Sequence, residues 1–434
     1  MRFGNREVER GGILVVVIVM CGIVGATLVA YLGMVTSQER FVHRSAVWNS
    51  CVVLCESGIE EAFAHINHRN TESNFAINGW SPSANAFRKE QYLNRGKCEM
   101  MISTNYPPII TVRAKLPAPM NDGEVVRTVR VGTKVSRVFP HAILSKSKVT
   151  LGGSGRVDSF NSTNILESVG GQYSVALATA NATIASLTRN TTDFNVGNVD
   201  IFGYVATGPD GQVSVGPNGV VGSKLFALNP LNGGRIETGH IRNDFNVYIP
   251  DAALPPNFSA LPIPLVGTGR NIGGTNYLYV MGNGDYSAGN ISMGSGELFL
   301  VTGRARILVT GTVNLTGDAG IILATNATVE WYQLGSTVNM GGRGVVNSRG
   351  FAKDFQLVGL KTCTSVSYSG SFQFTGTVYA PSATVTLTGS ADAYGALVGS
   401  SIELSGGMGL HYDEALNAPQ KARFVASSWQ EVKL

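Results

Sequence analysis

The chain carries no charged side chain between Gly11 and Gln38, and the segment Ile13–Val35 within that stretch is apolar almost throughout. A helix needs about 20 apolar residues to cross a lipid bilayer, so this segment is long enough to span one. The pattern predicts a transmembrane helix over about residues 12–35.

The next stretch, Ser37–His68, is amphipathic, with apolar residues near helical spacing and charged residues on the remaining positions. No proline interrupts the chain from Gly11 to Arg69. We therefore expect one helix of about 55 residues, which at about 1.5 Å per residue is roughly 80 Å long. Residues 1–69 are predicted to form a cytoplasmic stub, the transmembrane helix and an amphipathic stalk.

Arg2, Arg6 and Arg10 precede the apolar segment. Basic residues beside a membrane span tend to stay in the cytoplasm, so we expect a single-pass inner-membrane protein with its body periplasmic or extracellular. A cleaved secretory signal is the alternative. The apolar core of such a signal usually has about 7–15 residues, and the longer run here favours retention.

Alternating apolar and polar residues follow in Pro108–Leu116 and Glu124–Val135, on either side of a turn-rich segment. This pattern predicts a β-hairpin within a small antiparallel region at 70–140. The region is basic, but Arg113 and Lys115 stand two apart and share one strand face. We interpret the basic residues as solvated outer faces and predict no specific nucleic acid partner.

From residue 141 to 416 a short unit recurs, in which two apolar residues flank a polar one and glycine follows, as in Val385–Gly389 and Ile402–Gly406. Such units suit the rungs of a right-handed parallel β-solenoid, with a β-sandwich as the alternative. The pattern is irregular between about 164 and 285. Residues 417–434 are interpreted as a C-terminal tail, and the fold class as mainly β with a long N-terminal α-helix.

The composition agrees with a β-rich protein that has many tight turns. Gly accounts for 53 of the 434 residues without a collagen repeat, and only 14% of the residues are charged. The chain has five cysteines and no CxxC pair or zinc-like Cys/His spacing. Cys98 and Cys363 could form a disulfide in an exported body, and the sequence leaves this open.

Catalytic candidates in the body are scattered along the sequence. They are Asp158, Asp392, His411, Asp413 and Glu414, and the last three suit a polar cap where the final rung meets the tail. An acid/base enzyme needs such groups clustered on one face. We therefore expect no enzyme activity, no cofactor and no metal site.

The transmembrane segment has a face of small residues, formed by Gly22, Ala26 and Ala30 at four-residue spacing. Small residues at this spacing let a second helix approach closely. The same residues are also common in membrane helices that have no partner, and both interpretations stay open.

The N-terminal segment resembles PilX-type minor pilins and the pseudopilin-like proteins of bacterial type IV filament systems. The resemblance rests on Arg10-Gly11, on Glu39-Arg40 and on the helix Glu56–Ala62. It implies processing after Gly11 or Gly12 by a prepilin peptidase. The family usually has a glutamate at the fifth position after the processed glycine, but Val16 or Val17 stands there, which is typical of some minor members.

Two further segments, Lys148–Ser162 and Phe374–Leu416, resemble the start and end of domains that occur behind PilX-like stalks. Together these resemblances imply a structural subunit of a type IV pilus or pseudopilus that displays the β-rich body at the cell surface. The implied partners are the lipid bilayer, other pilin-like subunits, pilus assembly proteins and, for the body, surface polysaccharide. A membrane-anchored adhesin or envelope scaffold outside any filament is the first alternative, and a polysaccharide-processing β-helix enzyme is the second.

Overall fold

The structure is a computed structural model that describes residues 10–68, 77–93, 96–105, 107–118, 123–136, 139–190, 192–229, 235–255, 258–259, 261–262, 265–369, 373–417 and 423–432. It divides into two compact units. Unit 1 contains Met1–Ser136 and Pro419–Leu434, and unit 2 contains Arg137–Ala418. Unit 2 is therefore an insertion in the sequence of unit 1.

Helix α1, Arg10–His68, begins unit 1 and continues without a break through the predicted span and the predicted stalk. Its most apolar window has a mean hydropathy of 2.9 and none of that window is buried, so the helix is long and apolar enough to cross a membrane. The second half differs. Cys51, Cys55, Ile59 and Ile66 are buried at its sheet-facing side in the core of unit 1.

A six-stranded antiparallel sheet packs on that half of α1, with the strand order β1-β2-β3-β4-β5-β32. The predicted hairpin is confirmed, because β4 pairs with β5 through nine residues from Ile109 to Pro117. The strands are β1 Ser81–Ser83, β2 Ala86–Leu93, β3 Gly96–Ser103, β4 Ile109–Pro117, β5 Glu124–Ser136 and β32 Arg423–Glu431.

The C-terminal residues do not form the tail that the sequence suggested. Strand β32 pairs antiparallel with β5, so the chain returns to unit 1 after unit 2 is complete. Asn67, near the end of α1, exchanges two hydrogen bonds with the backbone of Phe424, at 2.6 and 3.1 Å. The pairing partner lies almost 300 positions earlier, and no local pattern in the sequence reveals it.

Unit 2 is built mainly of strands. Its described residues also include a short α-helix, α2 Lys224–Ala227, and 3-10 turns at Ala352–Asp354 and Glu414–Asn417. Its first strands are β6 Ile143–Ser145, β7 Val149–Leu151, β8 Arg156–Phe160, β9 Ala182–Ser186, β10 Phe194–Gly197, β11 Asp200–Ala206, β12 Ser214–Val215, β13 Val220–Gly222 and β14 Ile241–Arg242. The later strands are β15 Leu261–Pro262, β16 Leu265–Ile272, β17 Thr275–Met281, β18 Gly284–Ala288, β19 Ile291–Met293, β20 Leu298–Val301, β21 Arg304–Val309, β22 Val313–Leu315, β23 Gly320–Leu323, β24 Thr328–Gln333, β25 Thr337–Met340, β26 Gly344–Asn347, β27 Phe355–Gly359, β28 Ser365–Tyr368, β29 Phe374–Gly389, β30 Ala393–Gly406 and β31 Leu410–Asp413.

Nearly all strand pairs described in unit 2 are parallel, and the ladder between β16 and β17 is antiparallel. Equivalent residues of successive strands stack in register, as in the inward column Ile307, Trp331, Leu357, Val378 and Leu397. All five are buried in the core of the unit. Parallel ladders of this kind differ from the antiparallel pairing expected of a β-sandwich.

The strand order in unit 2 does not follow the chain. Strands β6–β8 lie in the middle of the stack, with β9–β11 on one side and β30–β31 on the other. The chain first builds outward to β14. It then starts again at the other end of the stack with β15 and β18 and returns strand by strand to β31. The last strands of the unit therefore pair with its first ones.

The chain between β14 and β15, described at 243–255 and 258–259, lies within the irregular part of the sequence pattern. Its described residues pack along the outside of the strands. Tyr379 donates a hydrogen bond of 2.6 Å to the carbonyl of Pro250, and the ring of Phe258 lies 6.0 Å from that of Tyr332. The segment covers an outward apolar column that a regular rung pattern would leave exposed.

Gly58 provides a test of the packing between α1 and the sheet. A Cβ at this position would lie 2.6 Å from Cys98 Sγ and 2.7 Å from Val112 Cγ1. Gly58→Val should destabilise unit 1 by about 1–3 kcal/mol, because the added side chain overfills a packed core. The loss is measured by hydrogen exchange of β3 and β4. Gly33→Val is the matched control, since nothing lies within 4 Å of a Cβ there. Equal protection in both variants would contradict the packing.

Candidate functional site

The predicted assembly residues lie on the exposed part of α1. Gly12, Gly22, Ala26 and Ala30 are all exposed, and Gly11 lies in the first turn of the helix. The space beyond Gly12 and Gly22 is open, because no heavy atom lies within 4 Å of a Cβ built on either. A second helix could therefore reach this face, and its use stays a prediction.

The exposed apolar surface of α1 continues beyond the predicted span. Phe41, Val42 and Val53 are 72%, 68% and 66% exposed, and they belong to the half whose other side packs on the sheet. Trp48 is also partly exposed, and the guanidinium carbon of Arg127 lies 4.9 Å from its ring centre. Water-exposed apolar groups on a helix that is already packed on one side indicate a further contact surface.

Unit 2 contains a buried polar cluster whose residues are far apart in the sequence and meet only in the fold. Strands β30, β31 and β8 pair in parallel, and this register places Tyr394, His411 and Asp158 side by side. His411 Nδ1 lies 2.5 Å from Asp158 Oδ1, and His411 Nε2 lies 3.5 Å from Asp392 Oδ2. Three of the five candidates that looked scattered, Asp158, Asp392 and His411, are thus brought together.

Tyr173 covers this cluster from the loop between β8 and β9. Its hydroxyl donates a hydrogen bond of 2.7 Å to Asp158 Oδ2, and its ring stacks on His411 with centres 3.8 Å apart. Tyr394 stacks on the same imidazole at 5.1 Å. His411 and Asp158 are almost completely buried, whereas the side chain of Asp392 is 41% exposed.

The electrostatics of the cluster favour a charged imidazolium between two carboxylates. Burial alone lowers the pKa of His411, but the hydrogen bonds to Asp158 and Asp392 outweigh it, so that the pKa is raised. The hydrogen bond to His411 lowers the pKa of Asp392 in turn. Burial, followed by the nearby charge of Asp158, raises the pKa of Tyr173, so that its hydroxyl stays protonated.

The sequence suggested a polar cap formed by His411, Asp413 and Glu414, but Asp413 and Glu414 do not join His411. Asp413 accepts hydrogen bonds from the backbone N and the Oγ of Ser162, at 3.0 and 2.7 Å. Glu414 accepts one of 2.6 Å from Thr179 and one of 3.0 Å from Asn181. Asp413 is the last residue of β31, and Glu414 begins the 3-10 turn that follows, so the two carboxylates bind different neighbours. Both tie the end of β31 to the segments around β8 and β9.

Within the described residues, no group of three or more His, Cys, Asp or Glu side chains could hold a metal ion. The five cysteines are free, and all except Cys21 are buried. Cys51 and Cys55 stand four residues apart on α1, and both pack in the core of unit 1. Cys98 and Cys363 lie in the cores of different units, and the disulfide that the sequence left open is not formed.

The buried ion pair gives a direct stability test. Asp158→Asn leaves the imidazolium of His411 without its nearest carboxylate, and removal of one partner from a buried pair typically costs about 3–5 kcal/mol. Urea denaturation of unit 2 measures the loss. Asp318→Asn, at an exposed turn, is the matched control and should change stability by no more than about 0.5 kcal/mol. Similar small effects in the two variants would show that the pair is not structural.

The raised pKa of His411 sets the pH dependence of the same pair. A histidine whose pKa is raised by folding contributes its full stability below its unfolded value of about 6.5 and loses that contribution as the pH rises through the folded value. The stability difference between the wild type and His411→Gln should therefore be largest near pH 6 and shrink on the alkaline side. Urea denaturation at a series of pH values checks this, and a difference that grows above pH 7 would contradict it.

Comparisons with known proteins add little beyond this geometry. A family profile described as a domain of unknown function (DUF7305) matches residues 271–418, which is less than half of the chain. No curated protein matches the chain. A crystal structure of the competence-associated pilin ComZ from Thermus thermophilus is similar over 89% of this chain and 97% of that chain, with 10% identity and a TM-score of 0.29.

Proposed function

We propose that the protein is a minor pilin-like subunit of a bacterial type IV pilus or pseudopilus. The observation that carries the proposal is the division of α1 into two halves. One half is apolar and unburied, and the other is packed on a small antiparallel sheet. Such a helix can lie in a bilayer before assembly and among neighbouring subunit helices afterwards, while the sheet keeps its outer half in place.

The proposal extends to orientation and processing. Arg2, Arg6 and Arg10 would hold the N-terminus in the cytoplasm, and both units would lie outside the inner membrane. A prepilin peptidase would cut after Gly11 or Gly12. Its cut would remove the charged stub and leave an apolar N-terminus that can enter a helix bundle.

We propose that unit 2 is a parallel β-solenoid and that it serves as the displayed module. Its parallel ladders and buried inward columns support this architecture. Display requires a body that folds around its own core, and the core of unit 2 consists of its own residues. The module would contact other surface components, including polysaccharide.

We further propose that the unit acts without catalysis. The polysaccharide-processing alternative needs an acid or base that a substrate can reach. Both ring nitrogens of His411 face carboxylates, and its side chain is only 4% exposed. Asp158 is fully buried beside it. These groups support a role in holding strands together rather than in proton transfer to a bound substrate.

The mature N-terminus distinguishes a filament subunit from a plain membrane-anchored adhesin or scaffold. We expect mass spectrometry of the protein purified from its native membrane to show a start at Gly12 or Ile13. Gly11→Leu together with Gly12→Leu should abolish the cut. A native chain that retains Met1 and the basic stub would favour the plain anchor.

The small-residue face gives a second test in the membrane. Ala26→Leu adds bulk on the face shared with Gly22 and Ala30, and it should weaken crosslinking to neighbouring subunits in the cell several-fold, because close helix approach is lost. Val24→Leu adds bulk to the opposite side and is the control. Equal crosslinking in the two variants would argue against this face as the contact.

A further inference from the structure

The cluster around His411 reaches the protein surface at Asp392, whereas the ion pair of Asp158 and His411 is buried. The side chain of Asp392 is 41% exposed, yet two contacts hold it in place. Its Oδ1 accepts a hydrogen bond of 2.9 Å from the backbone N–H of Gly409, and its Oδ2 faces His411. Arg156 begins strand β8, which pairs with β31 so that Val157 lies opposite Leu410, and this register places Arg156 beside the Gly409 backbone that holds Asp392. After the contact with His411, the charge of Arg156 also contributes to the lowered pKa of Asp392. A fixed carboxylate and a guanidinium thus stand close together at the surface.

Two aromatic rings adjoin these charged groups. Tyr173 and Tyr394 are each half-buried, and their ring centres lie 5.6 Å apart. Arg156 also lies against an aromatic ring, with its guanidinium carbon 5.3 Å from the ring centre of Phe202. The surface therefore combines flat apolar faces with one strong acceptor and one strong donor.

This combination differs from the outward column of small polar residues elsewhere in the unit. That column carries Ser292, Asn314, Asn339, Ser367 and Thr386 on successive strands. At the cluster, β8 contributes Arg156, β30 contributes Tyr394, the turn before β30 contributes Asp392, and the loop between β8 and β9 contributes Tyr173. The buried pair of Asp158 and His411 fixes them from below, so little conformational entropy remains to be lost when a ligand binds.

We propose that the surface formed by Arg156, Tyr173, Asp392 and Tyr394 binds a neutral saccharide. The hydroxyl groups of a sugar both donate and accept hydrogen bonds, which suits a carboxylate beside a guanidinium. The apolar C–H face of a sugar ring packs on an aromatic ring. The exposed acid and base nearly balance in charge, so the surface favours an uncharged ligand over a polyanion.

The proposal rests on the proposed role of unit 2 as a displayed module and specifies its ligand class, but it does not require that the protein is part of a filament. The test uses the full chain in a detergent without a sugar headgroup, on an array of neutral hexose and N-acetylhexosamine oligosaccharides. The strongest oligosaccharide is then titrated in solution by calorimetry. A correctly folded protein that binds none of these glycans would overturn the proposal, whatever the outcome of the N-terminal analysis.

Two variants locate the binding surface. Asp392→Asn and Tyr394→Ala should each raise the dissociation constant about tenfold or more, because each removes a principal contact with the sugar. Asp318→Asn and Tyr248→Ala change the same residue types at exposed positions elsewhere and should leave binding unchanged. Circular dichroism checks the fold of each variant, and Asp392→Asn decides the question if Tyr394→Ala unfolds. Wild-type affinity in folded Asp392→Asn would place the ligand elsewhere.

Discussion

The pairing of the last strands of unit 2 with its first strands is the contact on which the rest of that unit depends. Strands β30 and β31 supply the neighbours of β6, β7 and β8, which in turn support β9–β11. Side chains also connect the two groups of strands. Asp158 is hydrogen-bonded to His411, and Ser162 to Asp413, across this junction between β6–β8 and β30–β31. The edges of β6, β7 and β8 are thus hydrogen-bonded on this side only when β30 and β31 have paired with them.

This order of strands explains what the sequence predicts well and what it does not. The apolar run and the amphipathic pattern predict α1 because a helix is a local structure, and the hairpin of β4 and β5 is equally local. The rung-like units predict short buried strands. They do not predict that β31 lies beside β8, because the pairing partners stand about 250 positions apart and parallel pairing leaves no local signature.

The same limit applies to the candidate site. Asp158 and His411 each sit in an ordinary strand sequence, and only the register of the ladder makes them neighbours. The sequence therefore shows Asp158 and His411 as separate polar residues, and only the fold shows that they are in contact. The segment Arg423–Glu431 was assigned to a tail for a related reason, since its strand character depends on β5 and on Asn67. The same division separates the apolar helix, which the composition predicts, from the surface around His411, which only the fold assembles.

Native-state hydrogen exchange of the full chain tests the central claim most directly. If the junction holds unit 2 together, the amides of β6–β8 should open with those of β30 and β31, at the same free energy and with the same dependence on denaturant. The account predicts that these two groups, distant in sequence, lose protection as one cooperative unit. Strands β6–β8 that stay protected after β30 and β31 have exchanged would contradict it.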